Sequence, residues 1–337
     1  MSDVLRPMSS LYIHIPFCKR KCNYCDFHSF AGREDEIDAY VEKLVQEIGN
    51  VETQNFVSLQ TIYIGGGTPT LLSVKHFERI LKAIMPNEEC RMPNLEITTE
   101  ANPGTVSLPY LKELRRLGIN RLSLGAQSFN DKHLKTLGRI HTAQEIYQAV
   151  EDARTAGFDN INLDLIYALP DQTLDDLKSD IKEALSLNPE HLSVYNLQIE
   201  ENTPLYGQLS SCPTDEDLEA DMYEHLIDTL TANGYEHYEI SNFAKPGFRC
   251  QHNVNYWKNG NWIGIGDGAK SNEDKEGKNT LFLGLRMLEG LPTEKFAGYE
   301  KEVAELRKDG LLAEENGNYK LTRKGLFLAN LVFEKFV

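Results

Sequence analysis

Three cysteines fall within one short run, Pro16-Phe17-Cys18-Lys19-Arg20-Lys21-Cys22-Asn23-Tyr24-Cys25-Asp26-Phe27, spaced C-x3-C-x2-C with no fourth cysteine close by. Iron–sulfur clusters are held by cysteine thiolates, usually four. Three thiolates would grip three irons of a cubane and leave the fourth iron without a protein ligand. Such an iron is a place where a small molecule can bind and accept an electron. The competing chemistry is zinc: His28 follows Cys25 by three residues and would complete a Cys3His shell of the structural kind. On the cysteine run alone both metals stay open, because Cys/His spacings are shared between them.

A second unusual run is Gly65-Gly66-Gly67-Thr68-Pro69. Glycines lack Cβ, so the backbone can approach a ligand closely and adopt positive φ. An ordinary turn needs one glycine, and no Gly-Lys-Ser/Thr follows to make a phosphate loop.

These residues need elements to position them. Strand-like runs rich in Ile, Leu, Val or Tyr are predicted at Leu11–Ile15, Thr61–Ile64, Leu95–Thr99, Arg121–Leu124, Asn160–Ile166 and His191–Leu197. Helices are predicted between them. Ile37, Val41, Leu44 and Ile48 share helical spacing, Ser107 caps Leu108–Leu117, Thr142 and Glu145 form a capping box, and Thr173–Leu187 is amphipathic. Strand–helix alternation means parallel strands with right-handed crossovers. Six units predict an α/β fold, a (β/α)6 partial TIM barrel over residues 1–210. After residue 200 the alternation stops. A helix over Thr214–Asn233 opens a connecting and barrel-sealing segment, 211–275, and residues 276–337 form a small, mainly helical, winged-helix-like domain with a hairpin at Leu311–Lys320 turning at Gly317.

In α/β barrels active sites collect at the C-terminal ends of the strands. The first strand leads to the cysteines and the second to the glycines. The third runs into Glu100, the fourth is followed by Gln127, the fifth carries Asp164, and the sixth ends near Tyr195 and Asn196. Their shared edge is the argument, since Asp, Glu and Arg are individually most often solvated.

Composition narrows the function. The net charge is −16, which opposes nucleic-acid binding, and no long cationic run offsets it. Six scattered cysteines are no disulfide framework, and Met1–Ser10 lack a secretory apolar segment. A reducing, cytoplasmic setting is expected, with peripheral membrane contact and self-association left open.

The cysteine run, the glycine run and the six-unit alternation together resemble the radical S-adenosylmethionine superfamily, and more narrowly its HemN/HemW group. Further stretches carry the resemblance: Leu11-Tyr12-Ile13-His14-Ile15-Pro16-Phe17-Cys18, Leu122-Ser123-Leu124-Gly125-Ala126-Gln127-Ser128-Phe129, Leu163-Asp164-Leu165-Ile166-Tyr167 and Leu321-Thr322-Arg323-Lys324-Gly325. It favours a [4Fe-4S] cluster over zinc. It implies that Cys18, Cys22 and Cys25 ligate the cluster and that S-adenosylmethionine chelates the open iron. The Gly65–Thr68 backbone (Gly66, Gly67, Thr68) and Glu100 would hold the methionine amino group, Arg139 and Gln127 its carboxylate, and Asp164 the ribose. Tyr12 and Tyr24 would lie near ligand and cluster. It also implies an electron donor such as a flavodoxin or ferredoxin.

Within the group, the oxidases of porphyrin biosynthesis carry a cysteine two residues after the third cluster cysteine; this chain has Phe27 there. His252-Asn253-Val254-Asn255-Tyr256-Trp257 resembles a segment associated with haem binding in the chaperones, which makes His252 a candidate haem ligand. Gly264–Ser271 departs from the group by having Lys270 where histidine is common, and Lys cannot replace it as a ligand at neutral pH. The expected function is a haem chaperone that delivers haem as cargo to apoproteins. The alternatives are an oxygen-independent coproporphyrinogen III oxidase, or a radical enzyme acting on RNA, which the acidity opposes.

Overall fold

Runs whose alternate side chains are apolar must bury that face, and here they do so by pairing side by side under helices. The computed structural model describes residues 10–51, 59–86, 94–209, 215–272, 277 and 279–337. Strand β1 (Ser10–Ile15) leads to a two-residue ladder of β2 (Phe17–Cys18) with β3 (Phe30–Ala31). Then come β4 (Thr61–Gly66), β5 (Glu96–Ala101), β6 (Arg121–Gln127), β7 (Ile161–Tyr167) and β8 (His191–Asn196). With β1, the last five pair in parallel in chain order. The six predicted strands are all present, and the partial barrel is the observed architecture.

The sheet is wider than the alternation predicted. After β8 the chain makes β9 (Glu236–Glu239) and β10 (Asn242–Ala244), which pair antiparallel at one edge, and β11 (Trp262–Ile265), which pairs parallel to β1 at the other. Among the described residues the order is β11-β1-β4-β5-β6-β7-β8-β10-β9, and the two ends do not close. Strands of three or four residues carry little periodic signal.

The crossover helices are α1 (Ile37–Asn50), α2 (Val74–Ile84), α3 (Leu108–Arg116), α4 (Asp131–Thr136), α5 (Ala143–Thr155) and α6 (Leu174–Ser186). Ile37, Val41, Leu44 and Ile48 of α1 are buried, as their spacing predicted. Thr173 caps α6 by accepting from the Asp176 N–H, and Glu145 accepts from the Thr142 N–H and hydroxyl at the start of α5. Ser107 stands at the N-cap position of α3 but its side chain makes no capping bond, which corrects that expectation. The later long helix is Glu216–Ala232, capped by Asp215; Thr214 lies outside the described residues.

Both faces of the parallel strands are buried, with opposite chemistry. Leu11, Ile13, Ile62, Ile64, Leu122, Leu163 and Leu192 share one apolar cluster with Val41, Phe77 and Ile146 of the helices. The alternate positions, Ser10, Thr61, Arg121, Asn162 and His191, are also buried but polar. The barrel interior is thus a polar chamber rather than the branched aliphatic filling usual in barrels.

Downstream, β12 (Leu291–Pro292), β13 (Leu312–Glu315) and β14 (Asn318–Leu321) form a three-stranded antiparallel sheet with short helices at Glu300–Lys308, Arg323–Phe327 and Ala329–Phe333. The predicted hairpin is there. Its turn is Asn316-Gly317, both with positive φ (53° and 80°), the pairing a tight two-residue hairpin loop demands. No helix among the described residues is long and apolar enough to cross a membrane.

Candidate functional site

The loop after β2 carries the three cysteines and is pinned rather than free. The Asn23 N–H donates to Leu137 O at 2.9 Å, the Asn23 side-chain amide donates to Thr136 O at 2.9 Å, and the Leu205 N–H donates to Asn23 O at 2.9 Å. Tyr24 packs on Leu137, Ile166 and Leu169. Cys18, Cys22 and Cys25 therefore face one cavity of about 550 Å³ above the strand ends.

The same cavity is lined by Tyr24, Gly66, Gly67, Thr68, Glu100, Gln127, Arg139 and Asp164. Eleven of the thirteen candidate residues read from sequence are brought together here. The remaining two, Tyr12 and His252, do not line it.

The glycine run touches both the cysteines and the acids. The Gly67 N–H donates to Ile15 O at 2.8 Å and the Thr68 N–H to Phe17 O at 2.7 Å, which stitches the run to the start of the cysteine loop. The Thr68 hydroxyl lies 3.7 Å from Cys18 Sγ. Gly66 has φ 115°, and its N–H donates to Glu100 Oε2 at 3.0 Å. Tyr63 O–H donates to Glu100 Oε1 at 2.9 Å.

The charges are arranged by sign. Burial, then the neighbouring Asp164, pushes the Glu100 carboxyl from 4.5 up to about 7, although the Tyr63 and Gly66 bonds oppose the shift. Burial also raises Asp164, against donors from Asn162 at 2.8 Å and Ser123 at 3.0 Å. Across the cavity, Arg139 donates to Gly125 O at 2.7 Å and to Cys22 Sγ at 3.4 Å, while its buried Nε has no partner. Gln127 adopts φ 67° at a bulge between β6 and β7, an energetically costly backbone for a residue with a side chain. Glu100, Asp164, Arg139 and the Cβ-free glycine backbone thus bring both signs of charge and open backbone groups to one cavity.

Folding is expected to register the raised Glu100. Between pH 4.5 and about 7 the folded chain holds a proton that the unfolded chain has released, so stability falls as pH rises through that window. Glu100→Gln removes this penalty. The variant without cofactor is expected to be more stable than wild type by roughly 2 kcal/mol at pH 8 and no more stable at pH 4. Urea unfolding at both pH values checks it; a stability gain equal at the two would refute the assignment.

The zinc alternative needs His28 beside the cysteines. His28 does not line the cavity; its ring packs against Gly268 and meets Phe30 edge-on, with centroids 4.9 Å apart. Among the described residues no three His, Cys, Asp or Glu side chains gather tightly enough for a single ion.

His252 lies beneath the cavity and is 1% exposed. Its Nδ1 is 2.7 Å from the Thr61 hydroxyl, which itself donates to Ser10. Burial lowers its pKa to about 3, and the buried Nε2 has no partner. Its ring packs at a tilt against Tyr63 at 5.0 Å and Tyr256 at 4.7 Å. Tyr12 lies in the same group, its hydroxyl 3.0 Å from His14 Nδ1. The short helix Gln251–Trp257 starts on Glu96, which accepts from the Gln251 and His252 N–H groups, and Trp257 packs under Arg286 at 4.2 Å. Here the segment plugs the barrel floor.

Sequence reasoning missed Tyr63, Ser123 and Asn162, which hold the two acids. Strand alternation puts all three on the same face as the acids, but nothing in their types separates them from solvated residues.

Two family models match the chain: the Radical SAM superfamily over residues 12–184 and the HemN C-terminal domain over 273–328. Among curated proteins, the heme chaperone HemW of Lactococcus lactis is 39% identical, covering 99% of this chain and 98% of the relative. HemW of Bacillus subtilis is 35% identical over 98% and 99%, and HemW of Escherichia coli 46% identical over 78% and 70%. Among solved structures, the coproporphyrinogen III oxidase HemN of Escherichia coli, a radical SAM enzyme, superposes with a TM-score of 0.80 at 25% identity, over 98% of this chain and 90% of that one.

Proposed function

This chain belongs to the radical S-adenosylmethionine superfamily and to its heme chaperone HemW branch, and from that we propose that it binds haem and hands it to apoproteins. The observation that carries the reading is end-to-end identity of 35–39% with HemW proteins, matched over nearly their whole length. Phe27 supports the choice of chaperone over oxidase, because it occupies the position of the oxidases' additional cysteine and is 64% exposed at the cavity mouth.

On this reading Cys18, Cys22 and Cys25 would hold three irons of a [4Fe-4S] cluster. The Gly66–Thr68 backbone and Glu100 would take the amino end of S-adenosylmethionine, Arg139 and Gln127 its carboxylate, and Asp164 its ribose. A guanidinium is the natural partner of a carboxylate, and an acid held from below by Ser123 and Asn162 keeps oxygen lone pairs for a diol. When bound, the pair supplies one-electron reductive cleavage of a sulfonium. The protein's own part is to orient the ligand and exclude water. An electron carrier such as a flavodoxin or ferredoxin would supply the reductant. Haem ligation by His252 would use its bare Nε2 and requires the floor helix Gln251–Trp257 to lift.

The test is anaerobic haem titration of the reconstituted protein, followed by absorbance, beside a coproporphyrinogen decarboxylation assay. Haem binding without decarboxylation is the expected result. Turnover of coproporphyrinogen to protoporphyrinogen would overturn the chaperone reading. Unchanged haem affinity in His252→Ala would remove that residue from the haem site.

A further inference from the structure

The chain carries 51 acidic and 35 basic residues, yet its only run of three consecutive cations, Lys19-Arg20-Lys21, lies between two of the cysteines that face the cavity. All three are exposed. Nearby cations are already neutralised, Arg33 by Glu36 and Lys43 by Asp267, whereas Lys19, Arg20 and Lys21 are in no ion pair among the described residues. Lys21 donates only to the Phe27 carbonyl, at 3.0 Å. Between Cys18 and Arg33 the single acid is Asp26. An otherwise anionic surface thus has a cationic window over the cysteine loop.

The window has an apolar centre. Phe27 is 64% exposed and Phe30 is 37% exposed, both in the same loop region. Phe27, whose carbonyl accepts from Lys21, thus gives an apolar anchor beside a charged rim, the pattern of a protein contact surface. The pinning by Asn23 and Tyr24 makes that surface rigid, so little ordering entropy is lost on association.

We propose that Lys19, Arg20 and Lys21, with Phe27, form the docking surface for a small acidic electron-carrier protein. The proposal deepens the reading above and rests on it for the cluster. Charge decides the partner. Two proteins of strong negative net charge repel each other, so productive encounter needs a local patch of opposite sign, and steering through such a patch raises association rates. Proximity decides the purpose: Arg20 is two residues from Cys18 and two from Cys22, at most about 7 Å of chain from either. A carrier seated there would bring its redox centre against the cluster's edge. The step is a single electron transfer in which no bond is made or broken. A flavin hydroquinone anion would become the neutral semiquinone, or a reduced ferredoxin cluster would lose one electron, and the docked cluster would gain that electron.

The experiment compares wild type with Lys19→Glu/Lys21→Glu, with Lys19→Glu alone in case the double change disturbs the loop, and with Lys301→Glu/Lys308→Glu as a control for net charge. Association with an oxidised acidic flavodoxin and, separately, with an oxidised ferredoxin is measured across a salt series. Cluster reduction by each reduced carrier is followed anaerobically beside reduction by dithionite. For at least one carrier, wild-type affinity is expected to fall steeply with salt. The cysteine-loop variants are expected to bind about tenfold more weakly at low salt with a flattened salt dependence, to be reduced correspondingly slowly by the carrier, and to react normally with dithionite. Which carrier responds identifies its type. The proposal is overturned if the loop variants bind and are reduced like wild type, if the control pair loses as much, or if the loop charges instead govern capture by phosphatidylglycerol vesicles while neither carrier binds. Absence of any cluster signal with dithionite would instead count against the cluster assignment, and the association arm would still read the docking surface.

Discussion

Cys22→Ala is expected to prevent stable cluster assembly, leaving anaerobically reconstituted protein without the broad visible absorption of an iron–sulfur centre and with little bound iron or sulfide. Three ligands already leave one iron open, and two would leave half the cubane unprotected. Among the described residues no other thiol can take the place. Cys250 is fully buried among Arg121, Glu96 and Tyr238 in the barrel floor, and Cys90 and Cys212 lie outside the described residues. Nor can the loop slide to offer a substitute, since Asn23 and Tyr24 tie it to the turn at Thr136–Leu137 and to Leu205. The fold itself should survive, because Cys22 is only partly buried and such truncations cost on the order of 1 kcal/mol. Iron and sulfide analysis beside thermal melting separates the two effects. Wild-type iron content in a folded variant would sink the three-thiolate site.

Gly67→Ala is the second large effect, and its sign depends on position. A Cβ at residue 67 would lie 2.6 Å from Phe17 O and 3.0 Å from Cys18 Sγ. Phe17 O cannot withdraw freely, because it accepts the Thr68 N–H at 2.7 Å. Relief must come from shifting the glycine run away from the cysteine loop, at a cost of about 1–3 kcal/mol by overpacking. That shift also draws Gly66 and Thr68 away from Cys18, so S-adenosylmethionine affinity, measured by equilibrium dialysis on the reconstituted protein, should fall at least tenfold. The same substitution at Gly49 in α1 meets nothing within 4 Å and should stabilise by roughly 0.5–1 kcal/mol through helix propensity. If both alanines behaved alike, the close approach of Gly67 would carry no function.

The membership of the candidate site was legible from sequence where it is local. Cys18, Cys22 and Cys25 come from one loop, and Gly65–Thr68 from one turn, so chain spacing alone holds each set together. The six parallel strands were legible because their outward faces are aliphatic and the helices between them are long enough to show a period. Glu100, Gln127 and Asp164 could be placed because strand ends in such a fold share an edge.

What the tertiary structure alone decided is which polar residues face inward and what lies under them. Period-two alternation states that Tyr63 shares a face with Gly65, and Ser123 with Gly125, but in a strand buried on both sides it does not say that the polar face is enclosed. Only the packed barrel shows Tyr63 bound to Glu100, Asn162 and Ser123 bound to Asp164, and Arg121 buried beside them. The pairing of β11 with β1 joins residues some 250 positions apart, a contact no local pattern can encode. The same holds for His252: its type and neighbours mark it as a candidate ligand, while its enclosure under Tyr63 and its bond to Thr61 follow from strands and a helix meeting across the whole domain. Local spacing determined what the site is made of; burial, which sums over distant segments, decided how it is held.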